Sequence, residues 1–164
     1  MKRWLMIAEI AKVLPPFEDA LRLIKATHPR LHVVVPAAST VADEVAAKVA
    51  SWPFRAHVLR DEDLKRDAMV ASTAALACSG TVTTELALAG CPMVVGYRIG
   101  AVTYAVLKLL LRTPYVTLFN IAAGRYVAPE FLQGRCTGPL MAKAVSDLLD
   151  DPERRAKQSA DQFA

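Results

Sequence analysis

The chain has 164 residues, a formal net charge of +4 from 20 basic and 16 acidic residues, and 54% hydrophobic residues. With a mean hydropathy of +0.28, that balance excludes a disordered chain, and 7 glycines and 10 prolines exclude collagen-like and low-complexity classes. The basic residues are scattered, without a cluster or an aromatic-basic ladder, so nucleic acid is not an expected partner.

Met1-Lys2-Arg3 followed by Trp4-Leu5-Met6-Ile7-Ala8 begins as a secretory leader does. Glu9 and Lys12 cut the apolar run short of the roughly 7–15 residues a leader needs. Ile7, Ile10, Leu14, Phe17, Leu21 and Ile24 recur at alternating steps of three and four, which predicts one helix face interrupted at Pro15-Pro16. Leu31-His32-Val33-Val34-Val35, stopped by Pro36, reads as a buried parallel strand. Ser39 is placed to cap a helix to about Ala50. A second strand is predicted at Ala56–Leu59, a charged helix from Asp61 to Ser72, and a third strand at Ala74–Cys78. A helix from Thr81 to Ala89 stops at Gly90, and a fourth strand runs from Pro92 to Tyr97. Ala101 to Arg112 is an apolar helix, and Tyr115-Val116-Thr117-Leu118 reads as a fifth strand. Pro129 is expected to open a short helix, with further helices at Thr137–Leu149 and from Pro152 to about Gln162.

Strands alternating with helices predict an α/β fold, a Rossmann-like parallel sheet with helices on both faces. No repeat or linker divides it, so residues 1–164 are expected to form one nucleotide-binding domain. Because the chain opens in an apparent helix, the sheet is expected to lack its first strand and to expose an edge there. Cys78, Cys91 and Cys136 form no CxxC pair, which argues against a disulfide framework or zinc site and for a reducing cytoplasm. His28 and His32 have Pro29 between them and cannot share a helix face as ligands. No metal or cofactor is expected.

In open α/β sheets ligands bind beyond the carboxyl ends of the strands. There, Cys78-Ser79-Gly80-Thr81-Val82-Thr83-Thr84-Glu85 runs from a strand through a glycine turn into a hydroxyl-rich helix start, which suits a phosphate or a plain helix cap. Glu85 does not complete a capping box, since the residue three before it is Val82. It is the only acid between Ala68 and Pro129, among Arg98, Lys108, Arg112 and Arg125. Cations for phosphate with one acid for ribose hydroxyls suit a nucleotide; a helix-dipole partner is the competing reading of Glu85. Arg98 follows the fourth strand, either in the cleft or as a surface charge, and Asn120 follows the fifth, in the cleft or as a cap. Helix 101–112 is either core or, with Lys108 and Arg112 at anionic headgroups, a surface that meets lipid.

These residues carry a resemblance. Ser79-Gly80-Thr81-x-x-x-Glu85, Cys91-Pro92-Met93-Val94-Val95-Gly96-Tyr97-Arg98, Tyr115 to Arg125, Pro129-Glu130-Phe131-Leu132-Gln133, and Glu9-Ile10 with Leu14-Pro15-Pro16-Phe17 resemble lipid-A-disaccharide synthases over nearly the whole chain. The resemblance implies the C-terminal, donor-binding half of a GT-B glycosyltransferase. Such an enzyme joins UDP-2,3-diacylglucosamine to 2,3-diacylglucosamine 1-phosphate at the cytoplasmic face of the inner membrane, releasing UDP. It implies Ser79, Gly80 and Thr81 near the diphosphate, Glu85 near the ribose, and Arg98 and Asn120 near phosphate and sugar, Asn120 as a catalytic candidate. Glu130 and Gln133 would lie near the cleft or the C-terminal crossover. The general base is expected in the half not present here, and a second copy of the chain is a further candidate partner. A related UDP-N-acetylglucosamine epimerase is disfavoured by the Cys91–Arg98 run. Two departures stand out: the family's Gly-Ser-Arg before Glu9-Ile10 is replaced by Trp4, Leu5 and Met6, and Phe119 stands where proline usually precedes the asparagine. The isolated chain is therefore expected to lack disaccharide synthesis; a non-catalytic UDP-binding or membrane-associated remnant is the alternative.

Overall fold

The computed structural model describes residues 3–8, 14–78, 80–98 and 114–162. Six strands form one parallel sheet: β1 (Trp4–Ala8), β2 (His32–Pro36), β3 (Ala56–Leu59), β4 (Ala74–Cys78), β5 (Met93–Tyr97) and β6 (Glu130–Leu132). Their order is β3-β2-β1-β4-β5-β6, a doubly wound arrangement. The helices are α1 (Leu14–Thr27), α2 (Ala42–Ala50), α3 (Glu62–Ala71), α4 (Thr81–Leu88), α5 (Leu118–Ala123), α6 (Gly138–Asp150) and α7 (Pro152–Asp161).

The expectation of a missing first strand is overturned. Trp4–Ala8 forms β1, paired with β2 on one side and β4 on the other, so the sheet edges are β3 and β6. The helical period from Ile7 is coincidental. Leu5 and Ile7 pack on one face of the sheet and Met6 on the other, as a strand buried on both faces requires. The helix begins only at Leu14, and Pro15 and Pro16 fall in its first turn, where their missing N–H groups cost nothing.

Three other expectations change. Tyr115–Leu118 is not a strand: the amides of Val116 and Thr117 donate to the Glu130 carboxylate instead of a neighbouring strand, and α5 starts at Leu118. Pro129 opens no helix. Its carbonyl accepts from the Val95 amide, and the following residues add β6 beside β5, with Pro at the start of an edge strand. The α2 helix starts after Val41 without a side-chain cap, so Ser39 does not cap it. Helix 101–112 lies outside the described residues.

One face of the sheet packs on α1, α2 and α6 through Phe17, Leu21, Ile24, Val45, Met141 and Val145. The opposite face packs on α3 and α4 through Met69, Val82 and Leu86. Two glycines allow the first packing. A Cβ on Gly96 would lie 2.6 Å from the Phe17 ring and 2.7 Å from the Met141 sulfur, and one on Gly138 would lie 2.6 Å from Asp19 Cβ. At the chain's other end α7 is fastened to the start of β5: Gln158 Nε2 donates to the Met93 carbonyl at 2.8 Å and Ser159 Oγ to that of Gly90 at 2.8 Å.

Candidate functional site

The strand order reverses between β1 and β4, because the chain leaves β1 toward β2 and leaves β4 toward β5. That reversal opens a crevice at the carboxyl ends of the two strands. Gly80 and Thr81 stand exposed at its mouth, where β4 turns into α4. Ser79 lies outside the described residues. The first-turn amides of α4 and the positive end of its dipole face this side of the sheet. Thr83 does not contribute a free hydroxyl, since its Oγ1 donates to the Gly80 carbonyl at 2.7 Å and the residue is buried.

Cys78 is in register with Gly96, so β4 and β5 leave the sheet side by side and Arg98 emerges next to the Gly80 turn. Its guanidinium also braces the neighbouring turn: Nη2 donates to the Cys136 carbonyl at 2.7 Å, while the Cys136 amide closes on Gln133 at 3.0 Å. Gln133, just past β6, takes a left-handed φ of 49°, which is uncommon for a residue with a side chain.

Glu85 lies four residues after Thr81, one turn along the same helix face and about 6 Å further along the axis. It projects toward α3, where its Oε2 is 3.2 Å from Lys65 Nζ. Between α3 and α4 lies a cavity of about 540 Å³ lined by Glu62, Lys65, Arg66, Met69, Glu85 and Leu88, among others. Partial burial pushes the Lys65 ammonium down, but the Glu85 and Glu62 carboxylates outweigh it and hold the pKa above the ordinary lysine value. Sequence reasoning missed Lys65; its only local signal is the i,i+3 spacing from Glu62.

Asn120 is placed elsewhere. It is fully buried beneath α5, and both ends of its amide are engaged within the chain. Nδ2 donates to the Ala128 carbonyl at 2.9 Å and to Glu130 Oε1 at 2.8 Å, while Oδ1 accepts from the amides of Val127 and Ala128. Glu130 completes the knot by accepting from the Val116 and Thr117 amides and the Thr117 hydroxyl. Asn120 therefore has no group left for a sugar in this arrangement, and the structure joins it to Glu130 rather than to Gly80, Thr81 and Arg98. Among the described residues no group of three His, Cys, Asp or Glu is placed to hold a metal.

The family model described as lipid-A-disaccharide synthetase matches residues 6–163. The lipid-A-disaccharide synthase of Rhodospirillum centenum is 46% identical over 92% of this chain, and the chain spans 38% of that relative's length. Among solved structures, the UDP-GlcNAc 2-epimerase from Neisseria meningitidis bound to UDP-GlcNAc superposes with a TM-score of 0.64 over 96% of this chain and 38% of its own, at 15% identity. The E. coli ADP-heptose lps heptosyltransferase II does so with a TM-score of 0.62 over 93% of this chain and 48% of its own, at 12% identity. At such identities the structural likeness is one of fold.

Proposed function

We propose, for a chain that belongs to the lipid-A-disaccharide synthase family, that it is the donor-nucleotide-binding domain of a GT-B glycosyltransferase. The observation that carries this reading is the strand-turn-helix at the crevice, with Thr81 and Glu85 one turn apart on one face of α4 and Arg98 leaving the adjacent strand. A diphosphate seated on the α4 N-terminus, with Ser79, Gly80 and Thr81 around it, puts an attached ribose about one helical turn away, at Glu85. Arg98 supplies positive charge beside it. In the whole enzyme the donor is UDP-2,3-diacylglucosamine and the acceptor 2,3-diacylglucosamine 1-phosphate. The acceptor hydroxyl attacks the anomeric carbon, its proton passes to a base outside this chain, and UDP leaves with its new charge held by the helix N-terminus and Arg98. Asn120 acts as a positioning residue that holds the segment before β6. The reaction belongs at the cytoplasmic face of the inner membrane; among the described residues no helix is long and apolar enough to cross a membrane.

A second reading, a UDP-binding remnant without catalysis, is favoured by the segment between β1 and α1. It reads Glu9-Ile10-Ala11-Lys12-Val13 and contains neither the glycine nor the arginine of a phosphate loop. Both readings keep the nucleotide site, and titration with UDP tests it. Affinity is expected on the order of 0.1–1 mM, and Glu85→Ala should weaken it by roughly 10–100-fold, as loss of a charged hydrogen bond does. Equal affinity in both proteins refutes the ribose assignment. Turnover of the diacylated donor by the isolated chain separates the two readings, and none is expected.

A further inference from the structure

A carboxylate that is to accept from ribose hydroxyls must be held in one rotamer, with an oxygen free. Glu85 would not meet these conditions unaided, since its side chain is 47% exposed on a helix surface. Lys65 supplies what is missing. Its side chain is only 28% exposed, and it reaches across from α3 with Nζ 3.2 Å from Glu85 Oε2 and 3.5 Å from Glu62 Oε2. The ammonium is thus tied both within its own helix and across to α4. Glu85 Oε1 has no hydrogen-bond donor among the described residues, so the pairing fixes one oxygen and leaves the other presented.

Charge in the cavity points the same way. Glu62, Asp63 and Glu85 line it against Lys65 and Arg66, three negative charges to two positive. Without Lys65 the balance becomes three to one beside the place where an anionic diphosphate would sit, and the ribose carboxylate would repel the ligand it reads.

We infer that Lys65 is a positioning and specificity residue: it holds Glu85 so that the site distinguishes a ribonucleotide from a 2′-deoxyribonucleotide. This rests on the reading of Glu85 as the ribose contact. An ordinary interhelix ion pair would change stability alone; a positioning role changes which sugar is preferred.

The test is titration of UDP and 2′-deoxy-UDP into the unmodified chain and into Lys65→Met, Lys65→Arg and Glu85→Ala, with thermal melts of each. The unmodified chain is expected to prefer UDP by about tenfold. Lys65→Met should reduce that preference by about three- to fivefold, Lys65→Arg should restore most of it, and Glu85→Ala should abolish it. A Lys65→Met protein that folds and keeps the full preference overturns the inference while leaving the ribose reading intact. An unmodified chain that binds both nucleotides equally overturns the ribose reading, and one that binds neither overturns the donor site itself.

Discussion

Replacing Asn120 with alanine separates a structural asparagine from a catalytic one. The substitution deletes four hydrogen bonds; it leaves the Ala128 amide and carbonyl without their partner and the Val127 amide with only its 3.1 Å bond to the Arg125 carbonyl. Ala128 is fully buried and Val127 nearly so, and water reaches neither without rearrangement. Glu130 loses one of four donated bonds and keeps those from Val116 and Thr117. Each orphaned buried group costs about 1–3 kcal/mol, and partial relaxation into the space left by the amide returns some of this. The expected loss is about 3–4 kcal/mol, read as a shift of the urea midpoint. A milder change, Thr117→Val, removes only the 2.6 Å hydroxyl bond to Glu130 and should cost about 1–2 kcal/mol. UDP affinity of the folded protein should be unchanged in both. The reasoning is refuted if Asn120→Ala stays within about 0.5 kcal/mol of the unmodified chain, or if Thr117→Val folds normally yet loses UDP binding.

Gly96→Ala drives a methyl into Phe17 and Met141, both fully buried, and should destabilise by about 1–3 kcal/mol, lowering the melting temperature by roughly 3–8 °C in calorimetry. All three cysteines are buried, and burial pushes the Cys91 thiol up to about 12. A maleimide near neutral pH should label none of them in the folded chain and all three in urea, as mass spectrometry will count. Hydrogen bonds from His28 and then Arg3 hold the Asp150 carboxyl below its ordinary 3.8. A carboxyl with a lowered folded pKa stabilises above its unfolded pKa, and that contribution disappears as pH falls through the folded value. Urea melts at about pH 5 and about pH 3 should therefore show a slightly larger acid loss for the unmodified chain than for Asp150→Asn, the difference being small at an exposed site.

The strands that sequence alone locates are those whose apolar runs stand between clear breaks: β2 before Pro36, β3 between Pro53 and Asp61, β4 before the Gly80 turn, β5 between Gly90 and Arg98. β1 was hidden because Ile7 belongs at once to a continuous apolar run and to a helical period continued by Phe17, Leu21 and Ile24. A strand buried on both faces has no alternation to break that tie. Tyr115–Leu118 failed for the opposite reason. Its β-branched residues look like a strand, but a carboxylate 13 residues beyond Thr117 takes the amides a sheet would need, and no local pattern announces a partner so distant. At the candidate site, chain order alone puts Gly80, Thr81 and Arg98 just beyond strand ends and Glu85 one turn along the helix that follows. Lys65 was not legible, since its role depends on how α3 packs beside α4.

The central position of β1 has a consequence for synthesis. Leu5 pairs with Ala74, 69 residues later in the chain, while its other neighbour, β2, is complete by Pro36. At about 5–20 residues per second, the β4-facing edge of β1 stays bare for roughly 3–14 s after β1 itself has been made. During that time the β1-α1-β2 unit can assemble and offers an unpaired, apolar strand edge to any neighbouring nascent chain. Translation speed across α2, β3 and α3 thus sets how long the exposure lasts. Synonymous changes that slow the ribosome there would raise aggregation without altering a single residue.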